Sequence, residues 1–269
     1  MGNFPFGDTS KFTLEICCSD LKSARVAEKN GADHIELCQN IEQGGVTPSY
    51  GLIKKRVEKL RMPVHVLIRP RPGHFAYGRE ELPTMMEDVA ICRELGCAGV
   101  VVGFAGGIYN VNQIYTELVV GAAGDMSVTF HRAFDDILGA FGAEAFALEK
   151  VIEAGCKRLL TSGGEDTAEH GMDQIRHLVE RAGGRISVMA EAGVNLENVK
   201  KIIQHTGVRE VHTTAKQVRK QIGKSERKGL FEADEIVVDG KVVAKMVEAL
   251  ESIDVESLPS ISPAQRSKK

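Results

Sequence analysis

The chain has no tryptophan, few other aromatic residues and no long apolar run. A membrane-spanning helix needs about 18 or more consecutive apolar residues, and no stretch of this sequence approaches that length. Residues 1–10 contain no basic segment followed by an apolar core, so no secretory signal peptide is predicted. The net charge is only −3, which predicts no general attraction to nucleic acid or acidic membranes. We therefore expect a cytoplasmic protein, with additional presence in the nucleus left open.

Cysteine is present, but not in the paired spacing of a structural zinc site. A chain of 269 residues can bury a sizeable core without disulfide bonds. Reduced thiols are the expected state in the cytoplasm. The sequence therefore predicts free cysteines and leaves open whether any of them binds a metal. The cysteines are Cys17, Cys18, Cys38, Cys92, Cys97 and Cys156.

One theme repeats along the chain: a short β-rich run followed by a longer stretch with helical spacing. Glycines such as Gly31, Gly96, Gly155 and Gly207 stand where a helix should stop before the next strand. Strict alternation of this kind predicts parallel strands joined by right-handed crossovers. The predicted strands are Thr13–Cys17, His34–Cys38, Val64–Arg69, Gly99–Gly103, Ser127–Arg132, Arg158–Thr161, Ile186–Ala190 and Glu210–Thr213.

The repeat predicts an α/β protein with a single (β/α)₈ TIM-barrel domain. Such a barrel typically needs about 250 residues, which is nearly the whole chain. An open, doubly wound sheet is the alternative, although no Gly-x-Gly-x-x-Gly turn follows the first strand. We place the barrel at residues 11–252 and expect a disordered polar tail at 253–269. The long basic segment Lys216–Asp239 after the eighth strand is interpreted as a solvated excursion, or as a lid or an oligomer arm.

The first two strands carry carboxylates and thiols opposite their apolar residues. Alternate side chains of a strand share a face, which puts Glu15 and Cys17 together on the first strand. The same rule puts Glu36 and Cys38 together on the second. Since the apolar faces should pack against helices, these four side chains are predicted to point into the barrel on neighbouring strands.

Two buried carboxylates are costly unless they have partners. Arg69 at the end of the third strand and His131 at the end of the fifth can both face inward. The sequence therefore predicts Glu15, Glu36, Arg69 and His131 together at the C-terminal mouth of the barrel. This is the end at which TIM-barrel enzymes carry their active sites. A layer of structural ion pairs that closes the barrel is the alternative interpretation.

The later strands give weaker signals. Residues Thr161–Gly164 end the sixth strand with hydroxyls and backbone amides, which suit an anion or polar ligand at Ser162 and Gly163. A plain glycine turn is the alternative there. His212 on the eighth strand can line the interior, although a single strand histidine is more often a hydrogen-bonded core residue. His65 is predicted near the bottom of its strand, in a structural role.

Several segments, in order from residue 13 to residue 215, resemble one known family, the CutC copper-homeostasis proteins. The block from Glu36 to Pro48 and the run Phe130–Asp135 are its most specific parts. The resembling segments are Leu14–Cys17, Gly31–Cys38, Gly44–Ser49, Ile68–Gly73, Val128–Asp135 and Leu159–Gly163.

The resemblance implies a TIM barrel associated with cytoplasmic copper homeostasis, in a family with members that bind Cu(I). It also implies that Cys17 and Cys38 are metal ligands, since they match two cysteines that look like the copper ligands of animal members. Adjacent parallel strands lie about 4.8 Å apart, so two inward thiols at matching heights can share one ion. Soft thiolates select Cu(I) over harder metals. Without the resemblance, small buried cysteines that fill a barrel layer would be the preferred interpretation.

The chain departs from the family after the seventh strand. The family usually has a proline and a glycine run there, whereas this chain has Met189–Gly193. Glu191 adds a negative charge where many barrels help to hold a phosphate, which argues against a phosphate ligand. The family's eighth-strand histidine matches His212, but the cysteine that follows it in some members is Thr213 here.

These observations support two hypotheses of different class. The first is a cytoplasmic, homo-oligomeric protein that binds copper ion as Cu(I) through Cys17 and Cys38. The second is a TIM-barrel enzyme for a small anionic or carbonyl substrate, with Glu15, Glu36 or His131 in acid–base roles. A scaffold whose barrel mouth serves only oligomer contacts is a third option. The candidate ligand-binding residues are Arg69, Arg132, Asp135, Ser162, Gly163 and His212.

Overall fold

The computed structural model describes residues 12–107, 110–138, 143–219, 235–255 and 258. Short β-rich runs alternate with helices along these residues, as the sequence predicts. The strands are β1 (Thr13–Cys18), β2 (His34–Leu37), β3 (Val64–Leu67), β4 (Gly99–Val102), β5 (Ser127–Phe130), β6 (Arg158–Thr161), β7 (Ser187–Ala190), β8 (Glu210–Thr213), β9 (Lys216–Arg219) and β10 (Glu235–Val238). The helices are α1 (Leu21–Lys29), α2 (Tyr50–Lys59), α3 (Glu81–Glu94), α4 (Gln113–Ala123), α5 (Ala133–Leu138), α6 (Ala143–Glu153), α7 (Met172–Ala182), α8 (Val199–Thr206) and α9 (Gly240–Glu251).

Strands β1 to β8 close into one barrel in chain order, with each strand parallel to its neighbours. The predicted (β/α)₈ TIM barrel is confirmed, and the open-sheet alternative is wrong because β8 pairs with β1. In this register Cys17 lies opposite Glu36 of β2, and Glu15 lies opposite His212 of β8. The register therefore sets the heights at which the inward side chains meet.

The apolar residues pack on the outside of the barrel wall. Leu14, Ile16 and Ile35 are fully buried in the large core between the strands and the surrounding helices. A separate small cluster inside the barrel consists of Cys17, Cys38, Leu67 and Val101, with Ile41 packed against it. The inward faces of β1 and β2 thus carry thiols and carboxylates, as the alternation predicts.

Four strands end slightly earlier than predicted, and the sequence did not predict one short helix. β2, β3 and β5 stop before Cys38, Arg69 and His131, which therefore lie where the chain leaves the sheet. Helix α5 begins at Ala133, only two residues after β5. It buries Phe134 and Ile137, so this turn of chain belongs to the core rather than to a loop.

The chain after β8 forms a second, two-stranded sheet. β9 pairs antiparallel with β10, and the residues between them, 220–234, lie outside the described residues. The sequence did not predict these two strands. Most of the predicted tail at 253–269 also lies outside the described residues, but Ile253 is buried and Leu258 packs against the core. None of the described helices is both long and apolar enough to cross a bilayer.

Candidate functional site

Cys17 and Cys38 lie side by side at the barrel mouth. Cys17 is opposite Glu36 in the register of β1 and β2, and Cys38 follows the end of β2. Their Sγ atoms are 3.4 Å apart, and both side chains are buried. A disulfide would require about 2.05 Å, so these are two separate thiols. The inward alternation of two neighbouring strands therefore delivers two soft metal ligands to one point.

Glu36 and His212 lie beside the thiols. Nε2 of His212 is 3.6 Å from a carboxylate oxygen of Glu36. One ligand atom from each of Cys17, Glu36 and His212 lies within 4.8 Å of the other two. The mouth therefore offers a metal ion thiol, carboxylate and imidazole groups together.

The protonation of these groups is set by burial and by their neighbours. The contact with Cys38 and burial raise the pKa of Cys17 well above its ordinary value, so its thiol is protonated at neutral pH. Burial raises the pKa of Glu36 to about 7, with Glu15 and Glu191 adding to the rise against the opposing effect of His212. A metal that binds Cys17 must therefore displace a proton, and Glu36 titrates close to neutral pH.

Glu15 lies below the thiols and is held by histidines. Its Oε1 accepts a hydrogen bond from His212 Nδ1 at 2.7 Å, and its Oε2 accepts one from His65 Nδ1 at 3.1 Å. Burial alone would raise its pKa, but these hydrogen bonds hold the pKa of Glu15 well below its ordinary value. The expectation that Arg69 or His131 would compensate Glu15 is corrected, because histidines of β8 and β3 take both of its oxygens.

His212 links this lower group to the mouth. Burial opposes a charge on its ring, but the hydrogen bond to Glu15 and the Glu36 and Glu191 carboxylates raise the pKa of His212 to about 10. The ring is therefore an imidazolium at neutral pH. It supplies a buried positive charge directly beside Glu36 and Cys17.

His65 continues the network toward the bottom of the barrel. Its Nε2 accepts a hydrogen bond from Arg158 Nη1 at 3.2 Å, so its Nδ1 carries the proton that it donates to Glu15. Arg158 Nε also donates to Glu210 at 2.7 Å, and Ser187 Oγ donates to the other oxygen of Glu210. These groups form a closed set of hydrogen bonds inside the barrel.

A cavity of about 160 Å³ opens above the thiols. Charged and aromatic side chains from several strand ends and loops line it. Of the four residues predicted together at the mouth, Glu36, Arg69 and His131 line the cavity and Glu15 does not. The candidate ligand-binding residues Arg132 and His212 also line it. The principal lining residues are Cys17, Glu36, Cys38, Leu67, Arg69, Phe75, His131, Arg132, Leu160, Glu191, His212 and Thr214.

Arg69 holds the loops around this cavity in place. Its Nη1 donates to the carbonyls of Gln43 and Gly45, and its Nη2 donates to the carbonyl of Gly73. Its guanidinium also lies 4.9 Å from the ring centre of Phe75. Gly45 has a φ of 82°, a conformation that favours glycine, and a Cβ there would come within 2.7 Å of Leu67. Three N–H groups of Arg69 are thus used within the protein, and its buried Nε has no hydrogen-bond partner among the described residues.

His131 is buried and neutral. Its Nδ1 accepts a hydrogen bond from the amide of Ala133 at 3.1 Å, so Nε2 carries the proton. Burial and the nearby Arg69 lower the pKa of His131 to about 3. Within the described part of the chain, its Nε2 has no hydrogen-bond partner.

Glu191 faces the cavity from the loop after β7, where the sequence departs from the family that it resembles. Its side chain is buried, and burial raises its pKa. Nε of the half-exposed Arg132 is 3.6 Å from Glu191 Oε1, too far for a hydrogen bond. Glu191 Oε1 consequently lacks a hydrogen-bond partner among the described residues.

The loop after β6 binds a carboxylate of the protein itself. Asp135 in α5 accepts hydrogen bonds from Thr161 Oγ1 and from the amides of Ser162 and Gly164. The amide of Gly163 donates to Thr161 Oγ1. The backbone amides that the sequence suggested for an external anion are therefore used inside the fold.

The sequence offered no signal for Phe75, which lies in the loop after β3. Its ring centre is 4.7 Å from that of His131, and the Arg69 guanidinium stacks on the same ring. Glu210 and Arg158 were also missed as a pair. Strand alternation puts both on inward faces, but only the closed barrel brings β6 and β8 within reach of one another.

Comparison with known proteins agrees with this fold. The CutC family model matches residues 12–217. A CutC family protein of Pasteurella multocida is 38% identical over 206 residues, which cover 77% of this chain and 83% of that protein. One of Xylella fastidiosa is 42% identical over 205 residues, which cover 76% of this chain and 75% of that protein.

A solved structure of a CutC protein also matches this chain. The crystal structure of CutC from Streptococcus agalactiae, a protein provisionally assigned to copper homeostasis, matches with a TM-score of 0.72 and 32% identity. The match covers 76% of this chain and 98% of that one. The family match, the relatives and this structure agree, and the chain belongs to the CutC family.

Proposed function

We propose that this protein takes part in copper homeostasis in the cytoplasm by binding Cu(I) through the thiolates of Cys17 and Cys38. The observation that carries the proposal is the pair of buried free thiols, 3.4 Å apart, in the lining of the mouth cavity. Membership of the CutC family and the copper assignment of the Streptococcus agalactiae relative support it. A homo-oligomeric state remains a prediction, testable by analytical ultracentrifugation.

The sulfur geometry suits one soft metal ion. Metal–thiolate bonds are about 2.3 Å long for zinc, and two bonds of that order readily span the distance between Cys17 and Cys38. Thiolates favour Cu(I) over hard cations, which prefer oxygen ligands. Glu36 is the neighbouring carboxylate that is close enough to supply a third ligand to the same ion.

The surrounding charges also favour Cu(I). Two thiolates and one Cu⁺ carry a net charge of −1, which would be costly to bury alone. The imidazolium of His212, whose pKa is raised to about 10 by Glu15 and its other carboxylate neighbours despite burial, lies beside Cys17 and offsets that charge.

The test is a Cu(I) titration of reduced protein against a chromogenic Cu(I) chelator. Replacing an outer-shell residue of a metal site typically costs about 10–100-fold in affinity, so we expect Cys17→Ser or Cys38→Ser to cost at least that much. Cys156→Ser is the matched control, because Cys156 is also buried and free but lies in the outer core. Unchanged affinity in both mouth variants would refute the proposal.

A further inference from the structure

We infer that the mouth cavity also binds a small organic carboxylate that carries a hydroxyl group, as a 2-hydroxy acid does. Three buried polar atoms on residues that line this cavity have no hydrogen-bond partner within the described part of the chain. They are Arg69 Nε, His131 Nε2 and Glu191 Oε1. Buried polar groups are normally paired, so three such atoms around one cavity point to a ligand. The inference does not rest on copper binding, because it uses neither thiol.

Two of the three atoms are donors that the fold holds in place. Three other N–H groups of Arg69 bind loop carbonyls, and Nδ1 of His131 already accepts from the amide of Ala133. Both side chains pack on the ring of Phe75, at 4.9 Å and 4.7 Å from its centre. Two N–H groups beside one aromatic ring suit the two oxygens of a carboxylate, which forms strong charge-assisted hydrogen bonds.

The third atom is an acceptor. Glu191 Oε1 lies 3.6 Å from Arg132 Nε, which is beyond hydrogen-bond distance. A ligand hydroxyl donates one hydrogen bond and so supplies what Glu191 lacks. The complement of the three atoms is therefore a molecule with a carboxylate at one end and a hydroxyl near it.

Charge and size narrow the ligand further. The cavity lining includes Arg69, Arg132 and the His212 imidazolium, against the carboxyl groups of Glu36 and Glu191. Since His212 is already paired with Glu15, the two guanidinium groups are the cations that suit a negatively charged ligand. The cavity volume of about 160 Å³ is below the roughly 300–1,000 Å³ of sites for drug-sized molecules, so the ligand is small.

The same features disfavour a phosphate ester. The β6 loop amides that would bind a phosphate already bind Asp135. A phosphate would bring a second negative charge next to Glu36 and Glu191. Inorganic phosphate has no carbon-borne hydroxyl, so it also serves as a negative probe.

The experiment measures binding to metal-free, reduced protein by calorimetry and saturation-transfer NMR. The probes are glycolate, acetate, which lacks the hydroxyl, ethylene glycol, which lacks the carboxylate, and inorganic phosphate. We expect glycolate to bind at least tenfold more tightly than acetate or phosphate, with no detectable binding of ethylene glycol. Glycolate binding no tighter than acetate or phosphate binding, or no glycolate binding at all, would overturn the inference.

Variants assign the binding to this cavity. Glu191→Gln keeps the shape of the side chain but offers the ligand hydroxyl only a neutral acceptor, so it should weaken the preference for glycolate over acetate several-fold. Arg132→Gln, at a half-exposed position, should weaken the binding of both carboxylates several-fold, and Arg176→Gln, at a similarly exposed position on α7, should weaken neither. Equal glycolate selectivity in the wild type and Glu191→Gln would overturn the inference.

Separate titrations distinguish this inference from the copper proposal. Glycolate selectivity is measured on metal-free protein and Cu(I) affinity is measured without glycolate, so each proposal can fail alone. Unchanged Cu(I) affinity in both Cys17→Ser and Cys38→Ser would refute the copper proposal and leave this inference standing. Absence of glycolate selectivity in the wild type would overturn this inference and leave the copper proposal standing.

Discussion

The barrel interior contains two polar layers that differ in how completely their groups are paired. The lower layer comprises Glu15, His65, His212, Arg158 and Glu210, and hydrogen bonds link all of its members. The mouth layer lies above it. It comprises the cavity-lining residues Arg69, His131 and Glu191, each of which has a buried atom with no hydrogen-bond partner in the described residues.

This difference in hydrogen-bond pairing indicates that one layer serves stability and the other serves function. A fully bonded buried network supports one packing arrangement, whereas an unpaired buried group costs free energy that folding alone does not recover. Proteins tolerate such groups mainly where a ligand or a reaction needs them. We therefore interpret the lower layer as the support of the barrel and the mouth layer as its binding surface.

His34 is one exception within the lower part of the barrel. Both of its ring nitrogens lack a hydrogen-bond partner among the described residues, and its Nδ1 lies 3.7 Å from Glu15. Burial lowers the pKa of His34 to about 4, so the ring is neutral and packs edge-on against His65. Its pairing is incomplete, but the network around Glu15 does not depend on it.

The largest expected effect is the loss of Glu15. Glu15→Gln removes the charge that holds His65 and His212 and leaves the His212 imidazolium without its partner. Breaking a buried charge pair typically costs about 3–5 kcal/mol of unfolding free energy, and we expect a loss in that range. Denaturant unfolding measures it.

The matched control for this loss is Glu149→Gln. Glu149 pairs with Arg185 at a partly exposed site, where ion pairs contribute about 1 kcal/mol or less. Equal losses in the two variants would mean that the lower layer is no more important to stability than a surface pair.

A smaller loss of unfolding free energy is expected at alkaline pH. The pKa of His212 is raised from 6.5 to about 10 by the Glu15 hydrogen bond and the carboxylates beside it, which outweigh burial. The folded state therefore holds this proton more tightly than the unfolded state. The associated stability is fully present below pH 6.5 and is lost as the pH rises through about 10. A shift of this size corresponds to about 5 kcal/mol if it is realised in full, so we expect a loss of a few kcal/mol.

The stability measurement at alkaline pH needs a control variant that lacks the titrating His212 ring. Buried thiols such as Cys156, whose pKa burial raises to about 12, also reduce stability at high pH. The difference between the wild type and His212→Gln, followed by denaturant unfolding from pH 6 to pH 10, isolates the histidine. Parallel curves for the two proteins would show that His212 does not carry a raised pKa.

The sequence predicted what depends on local pattern. Strand alternation put Glu15, Cys17, Glu36 and Cys38 on inward faces, because side-chain direction in a strand follows from position alone. It also predicted that the two thiols can converge, and in the structure their sulfur atoms are 3.4 Å apart.

Partners that depend on barrel closure were not predictable. His212 is 197 residues from Glu15 along the chain and reaches it only because β8 pairs with β1. The role of Asp135 was missed for a different reason. It lies in the short helix α5, which follows β5 too closely to show a helical period in the sequence.

The third effect concerns the link between α5 and the β6 loop. Asp135→Asn keeps the size of the side chain but replaces a carboxylate that accepts from Thr161 and two backbone amides. Neutral acceptors form weaker hydrogen bonds than charged ones, so we expect a loss of about 1 kcal/mol in unfolding free energy. Asp136→Asn, at the adjacent exposed position, should leave stability unchanged. A loss as large in Asp136→Asn would contradict this role of Asp135.

The smallest and most discriminating effect is expected for Glu191→Gln. Burial raises the pKa of Glu191, and its Oε1 has no hydrogen-bond partner within the described residues. The folded protein therefore gives up this proton less readily than the unfolded chain, so the carboxyl group lowers stability as the pH rises above its ordinary value of 4.5. Glu191→Gln should be as stable as the wild type or more stable, by up to about 1 kcal/mol at neutral pH.

That gain should vanish in acid, where the carboxyl is protonated in both the folded and unfolded states. Denaturant unfolding of the wild type and Glu191→Gln at pH 4 and pH 7.5 measures the difference. Glu191 and Glu15 are both buried glutamates, so opposite signs for the same substitution would demonstrate the division between the two layers. A loss of several kcal/mol in Glu191→Gln would instead make the mouth layer part of the structural support and remove the reason to expect a ligand there.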